Sequence, residues 1–236
     1  FSHNDLNALE NKLKKARGSV FVAVESVYSM DGDFSPLKEI VSLCKKYSAN
    51  LIVDEAHATG VYGKKGEGRC VELGLEKKVF ARIHTFGKAL GVHGAIVLGS
   101  ETLRNYLINF ARSFIYSTAL PFHSLFSIRC AYDILANSNH KMLKIRKFIE
   151  SFKSLIKSNF PSMKLPSESA IQCIIIPGND SVKRVAEDIQ AAGFDVRPIL
   201  SPAVPKGKER IRVCIHAFNT DKEITALAQT LLSAIK

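Results

Sequence analysis

No two cysteines in this chain stand in a C-x-x-C spacing, and the five present, Cys44, Cys70, Cys130, Cys173 and Cys214, are odd in number and far apart. Neither a zinc site nor a disulfide framework is suggested, and the expectation is of reduced, core-type thiols in a cytoplasmic protein without a metal. Uncharged apolar runs of the roughly 18 to 20 residues that a spanning helix needs are also lacking. The best candidate, 113–128, is interrupted by Pro121 and His123 and carries Ser113, Ser117, Thr118, Ser124 and Ser127, so no membrane association is expected. Internal repeats, low-complexity tracts, a signal peptide and an initiator Met are all missing. The chain opens at Phe1, and the expectation is that part of any active site lies upstream.

What remains is globular. The 236 residues are 46% hydrophobic and 23% charged, enough for one large domain or two modest ones. Thirty-three Lys and Arg against 22 Asp and Glu give a formal charge of +11, which raises the question of an anionic partner. The bases are scattered, at Lys12 to Arg17, Lys64 and Lys65, Lys77 and Lys78, Lys141 to Lys147 and Lys206 to Arg212, with no aromatic-interleaved stripe. No nucleic-acid partner is expected; a phosphorylated cofactor or a coenzyme A substrate would account for the sign equally well.

Short, often β-branched apolar runs alternate with longer helical stretches, the pattern of an α/β protein with a largely parallel sheet. Strands are expected at 19–25, 50–53, 80–85 and 95–98, each short enough to be buried on both faces, with helices at 6–16 and 36–47. Asn4 and Asp5 offer the cap of the first helix. A long helix or two should fill 124–152 with a break near Asn137, Ser138 and Asn139. A second unit then carries strands near 170–176 and 210–215 and helices at 181–192 and 221–235. The division is set at 1–140 and 141–236.

Two constellations carry chemistry. In LIVDEAHATG, Asp54 and His57 lie just past an apolar strand, at the carboxyl end where open α/β sheets gather catalytic groups. Side chains three apart on a strand face opposite ways, so both serve one site only if the chain leaves the strand near Glu55. D-E-A-H is also the metal-binding box of a helicase class of ATPases, but that reading needs a G-x-x-x-x-G-K-S/T loop, which is missing from the 236 residues. In HTFGKALG, Lys88 sits between Gly87 and Gly91, where backbone without side chains lets a lysine approach a ligand and partial desolvation would favour its nucleophilic form. Thr85 offers a hydroxyl to a phosphate oxygen. Asp31 and Asp33 could suggest a glycosidase pair, but Asp-Gly-Asp before Pro36 is more simply a turn that positions Ser29. His84 and His93 are expected to pack or to face solvent. An Asp, a His and a glycine-flanked Lys in this order suit pyridoxal phosphate, which needs a lysine, a carboxylate for its ring nitrogen and donors for its oxygens.

ESVYSMDGDFSPL, LIVDEAHATGVYGKKGEG, TFGKALG, FIYSTALP and VPKGKERIRV, in this order, resemble the signature segments of the α-oxoamine synthases. The resemblance implies a fold-type I pyridoxal-phosphate transferase like aspartate aminotransferase, with its N-terminal part missing: a mainly parallel large-domain sheet plus a small C-terminal α/β domain. It makes Lys88 the cofactor lysine, Asp54 the partner of the ring nitrogen and His57 that of the phenolic oxygen. Ser29 would lie against the cofactor and Thr85 would bind its phosphate. Thr118 would reach a phosphate across a homodimer interface. Arg212 would hold the amino-acid carboxylate, with Arg210 on the same strand face left open as the alternative. Ala203 stands where the family has a substrate-contacting threonine. The implied reaction is a decarboxylative condensation of an amino acid with an acyl-CoA or acyl-carrier-protein thioester: L-alanine with a pimeloyl thioester, or glycine with acetyl-CoA, or serine with a long acyl chain. The family's ring-stacking histidine and glycine-containing phosphate loop belong to the part not represented here.

Overall fold

Helix starts and strand runs in the sequence become fifteen elements in a computed structural model that describes every residue except Ser162, Lys164 and Lys236. They fall into two units, residues 1–27 with 35–139 and residues 28–34 with 140–236. The sequence reading puts 28–34 with the first domain. Its backbone is instead satisfied within the second unit, where Arg212 donates to the Ser29 carbonyl, Arg210 to that of Met30 and Ser167 to that of Gly32.

The first unit contains α1 (Leu6–Lys15), β1 (Phe21–Glu25), α2 (Leu37–Lys46), β2 (Asn50–Asp54), α3 (Arg69–Glu72), β3 (Ala81–Thr85), β4 (Ala95–Gly99), α4 (Glu101–Phe110) and α5 (Phe122–Ala136). Asp5 caps α1 by accepting from the Ala8 amide at 2.9 Å, and Lys12, Lys14 and Lys15 in the last turn oppose the helix dipole. Helix α2 buries Leu37, Ile40 and Cys44, a stripe at helical spacing. The sheet runs β1-β2-β3-β4; the first three strands are parallel and β4 returns antiparallel to β3. Val22, Val24, Leu51 and Val53 point into one core with Leu9, Leu13, Leu37 and Ile40. Each such burial contributes about 1.5 to 3 kcal/mol before entropy is counted.

Burial on both faces, expected for all four strands, is met in β3, where Ala81 and His84 are buried on opposite faces, but not in β1, β2 or β4. Along β1 the residues alternate exposed and buried, because the helices α1 to α3 pack on the Val22 and Leu51 face alone. Strand β4 leaves Ile96 and Val97 exposed, and α4 and α5 bury no residue.

The second unit contains α6 (Asn139–Asn159), β5 (Ile171–Ile175), α7 (Asn179–Ala191), β6 (Arg197–Ile199), β7 (Arg210–Cys214) and α8 (Asp221–Ile235). The expected break of the long helical stretch falls at 137–138, where Ser138 turns its hydroxyl onto the Ile134 carbonyl at 2.7 Å. The sheet, β5-β7-β6, is antiparallel throughout, and β6, only three residues long with Pro198 in its middle, is too short to read from the sequence. Among the described residues no helix is long and apolar enough to cross a membrane.

Gly68, just before α3, has φ +100°, and a Cβ there would lie 2.8 Å from the Glu55 carboxyl carbon. Gly68→Ala is expected to lower stability by about 2 to 3 kcal/mol, since both backbone strain and a buried contact oppose it. An unchanged urea midpoint would show that neither constraint is felt.

Candidate active site

Strand β2 ends at Asp54, and the chain turns at once: the amides of Ala58 and Thr59 donate to the Glu55 carbonyl at 2.9 and 2.8 Å. This is the departure that the Asp54 and His57 pair requires. The Ala56 amide donates to Asp54 Oδ1 at 2.7 Å, which fixes the carboxylate by backbone rather than by a mobile side chain. His57 is half-buried on the turn, and Gly60, at φ +80°, closes it. In the parallel register Asp54 pairs with Ile83, so pleating puts Asp54 and Thr85 on one face and Val53 and His84 on the other.

Thr85 ends β3 with a buried Oγ1 that has no hydrogen-bond partner among the described residues. Beyond it, Phe86 anchors a tight loop: its amide donates to the Gly94 carbonyl at 2.9 Å, and its carbonyl accepts from the Val92 amide at 3.1 Å. Lys88 stands at the tip of that loop and is exposed. The partial desolvation expected for it is not present in this chain, because the loop has open space about it, with nothing within 4 Å of a Cβ added at Gly87 or Gly91. Thr118 is exposed in the connection between α4 and α5.

In the second unit, Arg210 and Arg212 share one face of β7 but have different surroundings. Arg210 is 4% exposed; its guanidinium pairs with Asp31 and also donates to the carbonyls of Met30 and Lys208. Arg212 is half-buried and donates through Nε to the Ser29 carbonyl at 2.9 Å. Ser29 is half-buried, and Ala203 lies exposed in the turn between β6 and β7. Burial pushes the Cys173 thiol up to about 11, which removes it as a nucleophile.

Three residues escaped the sequence reading. Glu55, fully buried, accepts from Ser26 Oγ at 2.7 Å and from the amides of Arg69 and Cys70 at 3.0 and 2.6 Å. His84 packs in the interior at 4% exposure, and its Nδ1 meets Thr59 Oγ1 at 2.8 Å, a contact the sequence reading did not foresee. An acidic residue directly after a buried strand, on the parity of Leu51 and Val53, was the available signal for Glu55; no comparable signal marks His84 or Thr59.

A family model described as aminotransferase class I and II matches residues 1–231, a span that includes the carboxylate at the end of β2, the hydroxyl at the end of β3 and the lysine of the following loop. The chain belongs to the aminotransferase class I and II family. Within this family, an 8-amino-7-oxononanoate synthase of Emericella nidulans is 45% identical over 229 residues, covering 93% of this chain and 56% of that protein. The chain thus spans little more than half the length of such curated relatives. A solved 8-amino-7-oxononanoate synthase of Francisella tularensis superposes with a TM-score of 0.86 at 26% identity, over 99% of this chain and 67% of the other. A serine palmitoyltransferase of S. paucimobilis, solved with bound pyridoxal phosphate, gives 0.90 at 26% identity over 98% and 59%.

Burial holds the His84 pKa below its ordinary 6.5; Arg82 lowers it further, while Glu55 and Asp54 act in the opposite sense. The unfolded chain therefore takes up this proton first as pH falls. Stability from neutral His84 is fully present above pH 6.5 and is lost as pH drops below it toward the lowered value. Urea midpoints compared on both sides of pH 6.5 should slope less for His84→Asn than for wild type; equal slopes would assign the pH dependence to other groups.

Proposed function

We propose that the full-length protein is a pyridoxal-phosphate-dependent α-oxoamine synthase that condenses L-alanine with a pimeloyl thioester to give 8-amino-7-oxononanoate, carbon dioxide and the free thiol. The observation that carries this reading is the Asp54, Thr85 and Lys88 set at the adjacent carboxyl ends of β2 and β3, in a chain 45% identical to a synthase of that name. The residues suit the cofactor. The buried, unpartnered Thr85 Oγ1 is a donor for a phosphate oxygen, and Asp54 keeps its second oxygen for a ring N–H while Ala56 holds the first.

Bound here, pyridoxal phosphate would supply an electron sink for the carbanion formed at the amino-acid α-carbon. The chain's own residues then have separable tasks. Lys88, on its exposed loop, carries the cofactor and afterwards takes the α-proton on its freed amine. Asp54 holds the proton on the pyridine nitrogen, His57 donates to the phenolic oxygen, Ser29 lies against the cofactor and Thr85 donates to its phosphate. Arg212 grips the substrate carboxylate until it is lost as carbon dioxide; this is supported by the commitment of Arg210 to Asp31, which leaves Arg212 as the available fork. Ala203 lacks the hydroxyl that an acyl substrate could otherwise contact.

A homodimer is part of the same proposal, with Thr118 reaching the partner's phosphate. Its support is the exposed apolar surface beside Thr118, formed by Phe110, Phe114, Phe122 and Phe126. Isolated exposed apolar residues need no explanation, whereas a run of them along α4, the loop and α5 does.

Borohydride reduction of the full-length holoenzyme followed by peptide mapping should fix the cofactor on Lys88; label on another lysine would sink the assignment. Steady-state assays should then favour alanine over glycine and serine. Arg212→Ala should raise the alanine KM by roughly tenfold or more, the scale of losing a charged hydrogen-bonded pair, at near-normal stability. Arg210→Ala should instead lower the urea midpoint, because it strands Asp31. The reverse pattern would exchange the roles of the two arginines.

A further inference from the structure

We propose that Glu55, Thr59 and His84 form a buried brace that positions Asp54 and His57 against Thr85 and Lys88, and so are positioning residues of the pyridoxal-phosphate site. The inference rests on the reading of that site given above.

The geometry begins with a proton count. The Thr59 hydroxyl has a single proton, and its 2.8 Å contact with the Glu55 carbonyl requires that proton, since a carbonyl only accepts. At the 2.8 Å contact with His84, Thr59 Oγ1 is therefore the acceptor and His84 Nδ1 the donor. The ring is then neutral, with its proton on Nδ1 and a lone pair on Nε2, which agrees with Nε2 being buried without a hydrogen-bond partner among the described residues.

The connections reach both sides of the candidate site. Glu55 follows Asp54, donates its amide to the Ile83 carbonyl at 2.8 Å and opens the turn that carries His57. Its carboxylate ties the same point to Ser26 after β1 and to the start of α3. His84 precedes Thr85 and lies four residues before Lys88. The Thr59 and His84 contact is thus a side-chain link from the His57 turn to the strand that ends in Thr85. It lies on the helix-covered face of the sheet, while Asp54 and Thr85 lie on the other. A rigid ring held at once from β2 and from the end of β3 requires a fixed spacing between them, and misplacing reacting groups by about 1 Å can cost a factor of about 100 in rate.

The test uses the full-length protein. His84→Leu removes the donor and keeps an apolar side chain; His84→Asn keeps an N–H near the Nδ1 position. The Leu variant is expected to lose roughly ten- to a hundredfold in pyridoxal-phosphate affinity and in kcat, with the alanine KM changing far less, and the Asn variant to recover most of both. Thr59→Val should reproduce the loss, Thr59→Ser should not, and Thr59→Val combined with His84→Leu should add little beyond either alone. The Thr59 pair carries the same comparison without altering β3 should His84→Leu fail to fold. Wild-type affinity and turnover in both Thr59→Val and His84→Leu, or an Asn variant as impaired as Leu, would overturn the brace. Side-chain nitrogen NMR on the cofactor-free protein is independent of enzyme activity: His84 should carry its proton on Nδ1, and a proton on Nε2 alone would refute the brace. If wild type binds no pyridoxal phosphate, the functional reading falls, and the NMR result still decides the hydrogen bond.

Discussion

A fully buried carboxylate, that of Glu55, sits at the point where β1, β2 and α3 converge. Removing a carboxylate from water costs several kcal/mol unless its oxygens find donors, and here they find three: one hydroxyl and two amides at the start of a helix. Hydrogen bonds to a charged group contribute about 1.5 to 3 kcal/mol each, so the group is tolerated only while all three partners stay in place. The requirement propagates. Arg69 and Cys70 must present their amides, which brings Gly68 so close to Glu55 that a Cβ would collide. The Cys70 thiol, close to that carboxylate in a dry pocket, is pushed well above its ordinary pKa and serves as packing. Because Asp54 and Glu55 are consecutive, whatever immobilises Glu55 immobilises Asp54.

This explains why the candidate chemistry lies where it does. Pleating sends consecutive residues to opposite faces, so one face of the strand ends can be devoted to holding and the other to reacting. On the holding face Glu55, Thr59 and His84 join Leu51 and Val53; on the opposite face lie Asp54 and Thr85 at the strand ends. Lys88 differs again, since it stands exposed on the loop beyond β3. Its loop is pinned at Phe86 by two backbone hydrogen bonds and has open space about Gly87 and Gly91.

How much of this was legible follows from which interactions are local. Strand runs and helix periodicity predict most of the longer elements to within about two residues, because apolar alternation and capping act over a few residues, while α3 and β6 went unread and α6 continues to Asn159, past the expected end at 152. The departure of the chain at Glu55 followed from pleating once Asp54 and His57 were taken to serve one site. Exposure was not legible: β4, with its apolar Ile96 and Val97, reads as a buried strand, but burial depends on what lies over a strand as well as on its own residues. His84 and Thr59 were illegible for a related reason, since their contact spans 25 residues and no local pattern marks either partner. The 28–34 segment joins the second unit through carbonyls that accept from Ser167, Arg210 and Arg212, partners more than a hundred residues away.

The two arginines of β7 show how position can divide one chemistry into two roles. They are two residues apart on one face, carry the same fork and are indistinguishable by spacing. Arg210 meets a carboxylate within its own unit, and a guanidinium that already has Asp31 and two carbonyls as partners has little left to offer a substrate. Arg212 uses one N–H on the Ser29 carbonyl, a neutral acceptor that orients the side chain without neutralising it. A cation that is held in place but not charge-paired is what an anionic substrate group requires, because binding then displaces water rather than an existing carboxylate. In the reading proposed above, Asp31 acts indirectly: by occupying Arg210 it leaves Arg212 as the arginine open to a further anion.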